Sequence, residues 1–309
     1  MYSVIFPGQG SQIVGMAKEF YETYDYVKDF FLHSDEILKK KLSKIILEGS
    51  QQELDLTVNT QPAIFLVSYS IFKVIEKQNK LNIKKAKYYA GHSLGEYSAL
   101  CCAGSISFEQ TLNILNSRAI AMQNAVPSGE GGMIAVLGID IKQMTEILDE
   151  NAKKYSCYIA NDNTVGQIAI SGRTNALEKL QLDLKKKNIK FVKLSVSAPF
   201  HCPLMNKAAK EMEEKINTLD FKDPIIDIIS NVTAEPVNRS LDIKKLLIQQ
   251  IEKPVRWRES VINMISHGTK AFIEIGPGKV LSGLVKRIDR NIKLNQVNNL
   301  NDIDILIDD

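Results

Sequence analysis

The sequence predicts an α/β fold, a parallel sheet covered on both faces with a smaller ferredoxin-like subdomain inserted into it. Three observations predict it. Short apolar segments at residues 3–6, 225–229 and 271–275 are separated by helix-length stretches, the spacing of a parallel sheet rather than of hairpins. Residues 133–196 run strand, helix, strand, strand, helix, strand, the ferredoxin-like order. Gly91-His92-Ser93-Leu94-Gly95 stands where a strand pattern gives way to a helix pattern, as a nucleophile elbow does.

The elements follow in order. Residues 3–6 form a first strand that ends in Pro7-Gly8-Gln9-Gly10, and amphipathic helices run through residue 47. Residues 62–76 read as a buried helix with Pro62 in its first turn, where a missing N–H costs nothing. Residues 87–90 read as a strand and 96–100 as the start of a helix. Ser107 with Gln110 three residues on forms a capping box, opening a helix that reaches about Asn124. The insert has strands at 133–137, 157–161, 167–171 and 191–196, with 162–166 joining the middle pair, and helices at 141–151 and 176–187. Pro127-Ser128-Gly129-Glu130-Gly131-Gly132 has linker composition. The boundaries drawn are therefore a core of 1–127 and 197–309 and a subdomain of 128–196. Gly276-Pro277-Gly278-Lys279 reads as a turn opening the last helix, and the end bearing Asp302, Asp304, Asp308 and Asp309 is expected to fray.

Bulk properties exclude several classes. A chain of 309 residues, 44% hydrophobic, can bury one large core with a smaller insert. A net charge of +3, with no basic stripe interleaved with aromatics, gives no reason to expect nucleic acid. Lysines cluster at Lys84, Lys85 and Lys87 and at Lys185, Lys186, Lys187 and Lys190; such runs are solvated faces or a docking surface for an acidic partner. The first basic residue is Lys18, so no secretory leader is expected, and no apolar run approaches the roughly 18 residues of a membrane helix. Cys101, Cys102, Cys157 and Cys202 lack C-x-x-C spacing and read as reduced, buried thiols. His33, His92, His201 and His267 show no metal-ligand spacing, so no metal is expected. A cytoplasmic protein is expected, and a monomer.

The elbow points to acyl chemistry. A sharp strand-to-helix turn forces the Ser93 hydroxyl out of the chain's path, and the helix N-terminus behind it suits an oxyanion. The plainer alternative is a glycine-rich turn with Ser93 as a cap. A serine needs a base, and the best partner is His201, in a stiff proline-flanked segment leading from the insert back to the core, where clefts form. An imidazole of ordinary pKa, about 6.5, serves as base and then acid near neutrality. His92, beside the elbow serine, is expected to point away and pack. Gly8-Gln9-Gly10 either places a backbone N–H beside the elbow, which with the Leu94 N–H makes a two-donor oxyanion hole, or is a plain tight turn. Arg118 lies on a largely covered helix, and its guanidinium needs an anion that either a protein acid or the substrate brings. A planar fork could hold a substrate carboxylate bidentately.

Together these elements resemble the malonyl-CoA:acyl carrier protein transacylase family nearly end to end. The resemblance runs through Phe6-Pro7-Gly8-Gln9-Gly10-Ser11-Gln12, Gln61-Pro62-Ala63, Gly91-His92-Ser93-Leu94-Gly95-Glu96-Tyr97, Arg118, Pro199-Phe200-His201, Pro254-Val255-Arg256-Trp257 and Glu274-Ile275-Gly276-Pro277-Gly278-Lys279. It implies an α/β-hydrolase-like core with a ferredoxin-like insert. Ser93 would be the nucleophile and His201 its base, Arg118 would bind the malonyl carboxylate, and the amides of Gln9 and Leu94 would hold the oxyanion. It further implies that a backbone carbonyl at Gln250 orients the histidine in place of an acid, and that Asn161 and Phe200 line the cleft. The activity implied is malonyl transfer from malonyl-CoA to the phosphopantetheine thiol of acyl carrier protein in fatty acid biosynthesis, by ping-pong kinetics and without a cofactor. The rival enzyme reading is an α/β-hydrolase such as a thioesterase, for which an acid such as Asp162 is available between Ser93 and His201. A non-catalytic carrier-binding module and a thiol nucleophile at Cys202 are the remaining alternatives.

Overall fold

Every residue of β1 (Tyr2–Phe6) after the first is buried, as a strand covered on both faces must be. In the computed structural model, which describes residues 1–79, 81–82, 85–150, 155–196 and 198–306, this strand lies inside a six-stranded sheet. The chain continues through α1 (Lys18–Thr23), α2 (Asp25–Leu38), α3 (Leu42–Glu48), α4 (Gln51–Leu54) and α5 (Thr57–Gln78) to β2 (Tyr89–Gly91), α6 (Leu94–Cys102) and α7 (Phe108–Gln123). Then come β3 (Gly131–Leu137), α8 (Ile141–Glu150), β4 (Cys157–Thr164), β5 (Gln167–Arg173), α9 (Thr174–Lys186) and β6 (Lys190–Lys193). A 3-10 turn at Pro203–Met205 leads into α10 (Asn206–Thr218), β7 (Ile228–Ile229), β8 (Pro236–Val237), α11 (Ser240–Gln250) and α12 (Trp257–Ser266). The chain closes with β9 (Ala271–Ile275), α13 (Val280–Ile288), β10 (Lys293–Val297) and α14 (Leu300–Ile305).

The large sheet has the order β10-β9-β1-β2-β7-β8, parallel throughout except for β8, which pairs antiparallel with β7. This is a mixed α/β fold built on a parallel sheet. Residues 131–193 form a second, antiparallel sheet of order β4-β5-β3-β6. Its two faces serve two cores, because strand side chains alternate. Ile134, Val136, Ile168 and Ile170 pack with Leu177, Leu180 and Leu184 of α9, while Met133, Ala160 and Ala169 join the main core. The edge strand β4 docks on the segment before α12: Val255 N–H donates to Ala160 O at 2.8 Å and Asp162 N–H to Val255 O at 2.9 Å. Arg258 closes this seam with a fork on Asp162, Nε to Oδ2 at 2.9 Å and Nη2 to Oδ2 at 2.8 Å.

Several expected boundaries shift. The long helix begins at Thr57, so Pro62 lies in its second turn and leaves the Val58 carbonyl without its helical donor. The Lys40 ammonium takes that carbonyl at 2.8 Å, which is why the proline is tolerated there. The preceding turn was invisible to an apolar pattern because it is polar, yet Thr60 and Gln61 are buried and hydrogen-bonded. Of residues 225–229 only Ile228–Ile229 pairs in the sheet, and Ile225 is exposed. The strand expected over 191–196 ends at Lys193, with a last backbone bond from Leu194 N–H to Met133 O at 3.0 Å, and Leu194 and Val196 line the cleft. The turn at residues 276–279 does open a helix, α13, whose first amides are taken by the buried Glu274 carboxylate (Leu281 N–H at 3.0 Å, Ser282 N–H at 2.7 Å). That helix is not the last: β10, a polar edge strand, and α14 follow. Asp302 and Asp304 belong to α14, where Asn299 and Asp302 form a capping box, so this part of the tail is not frayed. Lys84, Asn151, Ser197, Asp308 and Asp309, which figured in expected elements or boundaries, lie outside the described residues.

All four cysteines are free and buried. Among the described residues no helix is long and apolar enough to cross a membrane. The capping box at the start of α7 is formed as expected, Gln110 N–H to Ser107 Oγ at 3.2 Å and Ser107 N–H to Gln110 Oε1 at 3.2 Å. Ser107→Ala is expected to cost about 1 kcal/mol of unfolding free energy, read as a lower denaturant midpoint at unchanged slope.

Candidate active site

Between β2 and α6 the backbone turns at Ser93, whose φ of 55° and ψ of −109° no ordinary element uses. Such strain persists only where the surroundings impose it. Here they do. A Cβ on Gly91 would lie 2.0 Å from the Gly95 carbonyl, and one on Gly95 would lie 2.3 Å from Phe6 O, so strand, turn and helix can approach only with glycine at both positions. Ser93 Oγ is thereby left 2.8 Å from His201 Nε2.

His201 is itself at a positive φ of 56° and is 3% exposed. Its Nδ1 lies 2.7 Å from the backbone O of Gln250, which can only accept. Nδ1 must therefore carry the proton, and Nε2 offers its lone pair to the serine hydroxyl. Burial first, and the Arg118 charge second, push the imidazole down to about 3, below the ordinary value expected from sequence. The ring is a neutral base at every pH near 7.

Arg118, on α7, is 1% exposed. Its Nη1 donates to Gln61 Oε1 at 2.7 Å, and its Nη2 donates to Gln250 Oε1 at 2.9 Å and to Ser93 Oγ at 3.0 Å. Among the described residues no carboxylate lies within ion-pair distance of it. A cation held dry by neutral oxygens is a site that favours an incoming anion.

Ser93, His201 and Arg118 open onto a cleft of about 90 Å³, which Gln9, Leu94, Asn161 and Phe200 also line. Gln250 lies just behind it, bonded to all three. Among the described residues the amides of Gln9 and Leu94 have no hydrogen-bond acceptor, as oxyanion donors require. Met122, Met133, Leu194, Val196 and Phe200 make the wall apolar. His92 does pack, 5.7 Å from the Trp257 ring, but it does not point away from the site: it edges the cleft with Nε2 2.9 Å from Asn163 Oδ1. A register shift in β4 between Asp162 and Thr164 carries Asn163 to it.

Gln61, Glu96 and Asn231 also belong to the site and had no assigned role. Gln61 and Glu96 stood inside recognised motifs, but a glutamate in a first helical turn ordinarily reads as a partner of the helix dipole. Asn231 follows β7, and only the rule that sites gather beyond the carboxyl ends of parallel strands could have pointed to it. Two alternatives fail. Asp162 is held by Arg258, far from serving His201, whose Nδ1 faces a carbonyl. Cys202 is 1% exposed and burial pushes its thiol up to about 12, so it is no nucleophile.

A serine hydroxyl on a neutral imidazole, unpaired amides in the loop after β1 and at the start of α6, and a buried cation can together make and break an acyl ester. The acyl transferase domain family matches residues 3–300. The malonyl CoA-acyl carrier protein transacylase of Bacillus subtilis (strain 168) is 43% identical over 306 residues, 98% of this chain and 95% of the relative. That of Escherichia coli (strain K12) is 36% identical over 288 residues, 93% of this chain and 92% of the relative. Among solved structures, the acyl-carrier-protein-S-malonyltransferase of Bartonella henselae superposes with a TM-score of 0.95 at 43% identity, covering 99% of this chain and 98% of that one. A malonyl-transacylase in complex with its type II PKS acyl-carrier protein superposes with a TM-score of 0.94 at 33% identity, over 99% of this chain and 98% of that one. The chain belongs to the malonyl-CoA:acyl carrier protein transacylase family.

Proposed function

We propose that this chain is an [acyl-carrier-protein] S-malonyltransferase, moving a malonyl group from malonyl-CoA to the phosphopantetheine thiol of acyl carrier protein through an ester on Ser93, in fatty acid biosynthesis. The observation that carries the reading is Arg118, a buried cation without a carboxylate partner among the described residues, 3.0 Å from the hydroxyl that His201 activates. In malonyl-CoA the free carboxylate is two bonds from the thioester carbon. A carboxylate on Arg118 therefore brings that carbon to Ser93 Oγ, and the small apolar-walled cleft has no room for a long acyl chain.

Ser93 Oγ attacks the thioester while its proton passes to His201 Nε2. The carbonyl oxygen gathers charge beside the Gln9 and Leu94 amides, the intermediate collapses, and His201 Nε2–H returns the proton to the departing CoA sulfur. The carrier-protein thiol then gives its proton to the same nitrogen and attacks the serine ester; as the acyl–Oγ bond breaks, His201 Nε2–H returns that proton to Ser93 Oγ, and the carrier leaves with the malonyl group. Gln250 O holds the ring in one tautomer through both halves. The substrate carboxylate also offsets the Arg118 charge that depresses His201, so the base strengthens when the right donor is bound.

The finer reading of the fold is an α/β-hydrolase-like core of residues 1–127 and 197–309 with a ferredoxin-like subdomain of 128–196, supported by the strand order of the two sheets. Carrier protein and CoA are the partners, supported by the relative solved with its acyl-carrier protein. We place the enzyme in the cytoplasm as a monomer, acting without a cofactor, nucleic acid or membrane. The thioesterase alternative lacks support, because among the described residues no acid addresses His201, whose Nδ1 faces the Gln250 carbonyl.

Competition among malonyl-, methylmalonyl- and acetyl-CoA for transfer to carrier protein tests the reading. Malonyl transfer should dominate, and malonate release without carrier protein should be slow; fast release would indicate a hydrolase. The pH profile gives a second check. A base whose pKa is lowered stays deprotonated as pH falls, so kcat/KM for malonyl-CoA should hold level from pH 8 to about 5. An acidic limb centred near 6.5 would mean that the imidazole is not held neutral.

A further inference from the structure

Serine and histidine arrive from distant parts of the chain, and one oxygen atom joins their supports. Glu96, in the first turn of α6, is 2% exposed. Its Oε2 accepts from Asn231 N–H at 3.1 Å and from Gln250 Nε2 at 2.8 Å. Asn231 clamps the elbow, taking Ser93 N–H on Oδ1 at 2.7 Å and donating Nδ2 to Gly91 O at 2.7 Å. Gln250 donates Nε2 to Ser93 O at 3.0 Å as well, accepts Arg118 Nη2 on Oε1 at 2.9 Å, and presents its backbone O to His201 Nδ1 at 2.7 Å.

The inventory of donors and acceptors allows this arrangement one direction only. Arg118 can only donate, so the Gln250 amide must turn its oxygen to Arg118 and its NH2 to Glu96. The Asn231 N–H also can only donate. Both donors meet at the same atom, which must therefore supply lone pairs. A side chain without an oxygen at that point would leave two buried N–H groups unpartnered and the Gln250 amide held by Ser93 O and Arg118 alone.

We propose that Glu96 is a positioning residue for the transfer: through one acceptor oxygen it fixes the Asn231 clamp and the Gln250 amide, and so holds the Ser93 hydroxyl on the His201 ring. This rests on the reading that Ser93 and His201 carry the reaction. The role is one of shape. Both accepted bonds use Oε2, and an isosteric amide can place its carbonyl oxygen there, so the negative charge is not what is used.

Steady-state kinetics of the full chain with malonyl-CoA and carrier protein test it. Glu96→Ala should unfold cooperatively on heating like the parent but lower kcat about a hundredfold, the cost of a misplacement on the ångström scale. KM for malonyl-CoA should stay within about threefold, since binding through Arg118 persists. Glu96→Gln should keep kcat within about threefold of the parent. If Glu96→Gln proves as slow as Glu96→Ala, or if Glu96→Ala runs at the parent rate, the proposal is overturned. Should Glu96→Ala fail to fold, Asn231→Ala and Gln250→Ala each cut one arm while sparing the Gln250 backbone carbonyl. Each is expected to be at least about tenfold slower, since Asn231→Ala removes two side-chain bonds to the elbow and Gln250→Ala removes three, to Ser93, Glu96 and Arg118, and a parent-like kcat in either overturns the proposal. Failure of the underlying reading looks different: Ser93→Ala would then transfer malonyl at the parent rate, whatever the Glu96 variants do.

Discussion

Ser93→Ala is expected to lower kcat for malonyl transfer by about a millionfold and to abolish the covalent malonyl adduct. The hydroxyl is the group that His201 and the elbow geometry single out, with Nε2 at 2.8 Å and Arg118 Nη2 at 3.0 Å. His201→Ala should be similarly severe, because without Nε2 no group of suitable basicity among the described residues reaches Oγ. His92 turns its Nε2 to Asn163 at 2.9 Å instead. Since the pair acts as a unit, the double variant should be little slower than the worse single one. Intact-mass measurement after brief exposure to malonyl-CoA reads the adduct directly, and rapid-quench kinetics read its rate of formation. An adduct retained in Ser93→Ala, or near-normal acylation in His201→Ala, would end this account of the chemistry.

The parts of this site that were legible in the sequence are those with local signatures. Gly91, Ser93 and Gly95 announce an elbow because the steric demand is met within five residues, and the structure shows the demand directly in the 2.0 Å and 2.3 Å approaches that a Cβ would make. The Ser107 capping box announces α7, and with it the helix that carries Arg118, for the same local reason. His201 was found by its stiff setting at the seam rather than by any local pattern. What stayed hidden is decided by tertiary contacts. The first turn of α5 is polar and yet buried, since its side chains bond across the fold, as Gln61 does to Arg118 at 2.7 Å. β10 sits at the sheet edge and needs no apolar run, so the sequence Lys-Leu-Asn-Gln-Val gave no signal. Asn231 and Glu96 work through partners more than a hundred positions away in the chain, which no window over the sequence can see. The depressed pKa of His201 is likewise a product of burial and of Arg118, neither of which its neighbours in sequence supply.

Arg118→Ala should separate donors that differ by a single carboxylate. Truncating one member of a buried, hydrogen-bonded charge pair costs about 2–5 kcal/mol. At about 1.4 kcal/mol per tenfold, kcat/KM for malonyl-CoA should fall by roughly thirty- to several-thousandfold. Acetyl-CoA brings no anion and in the parent leaves the buried cation facing a methyl group, so its transfer should be spared or raised. Loss of the 3.0 Å bond to Ser93 Oγ works in the same direction, since that hydroxyl is then free to serve His201 alone. Arg118→Lys adds a finer cut: it keeps the charge but not the fork, and cannot hold Gln61, Gln250 and a carboxylate together, so it should recover only part of the malonyl rate. Because Gln61 Oε1 and Gln250 Oε1 lose a donor in the alanine variant, its thermal midpoint should be measured beside its kinetics. The deciding quantity is the ratio of malonyl to acetyl transfer in one competition assay, which a general loss of folded enzyme leaves unchanged. A ratio equal to the parent's would make Arg118 a structural cation and remove the basis for assigning a diacid donor.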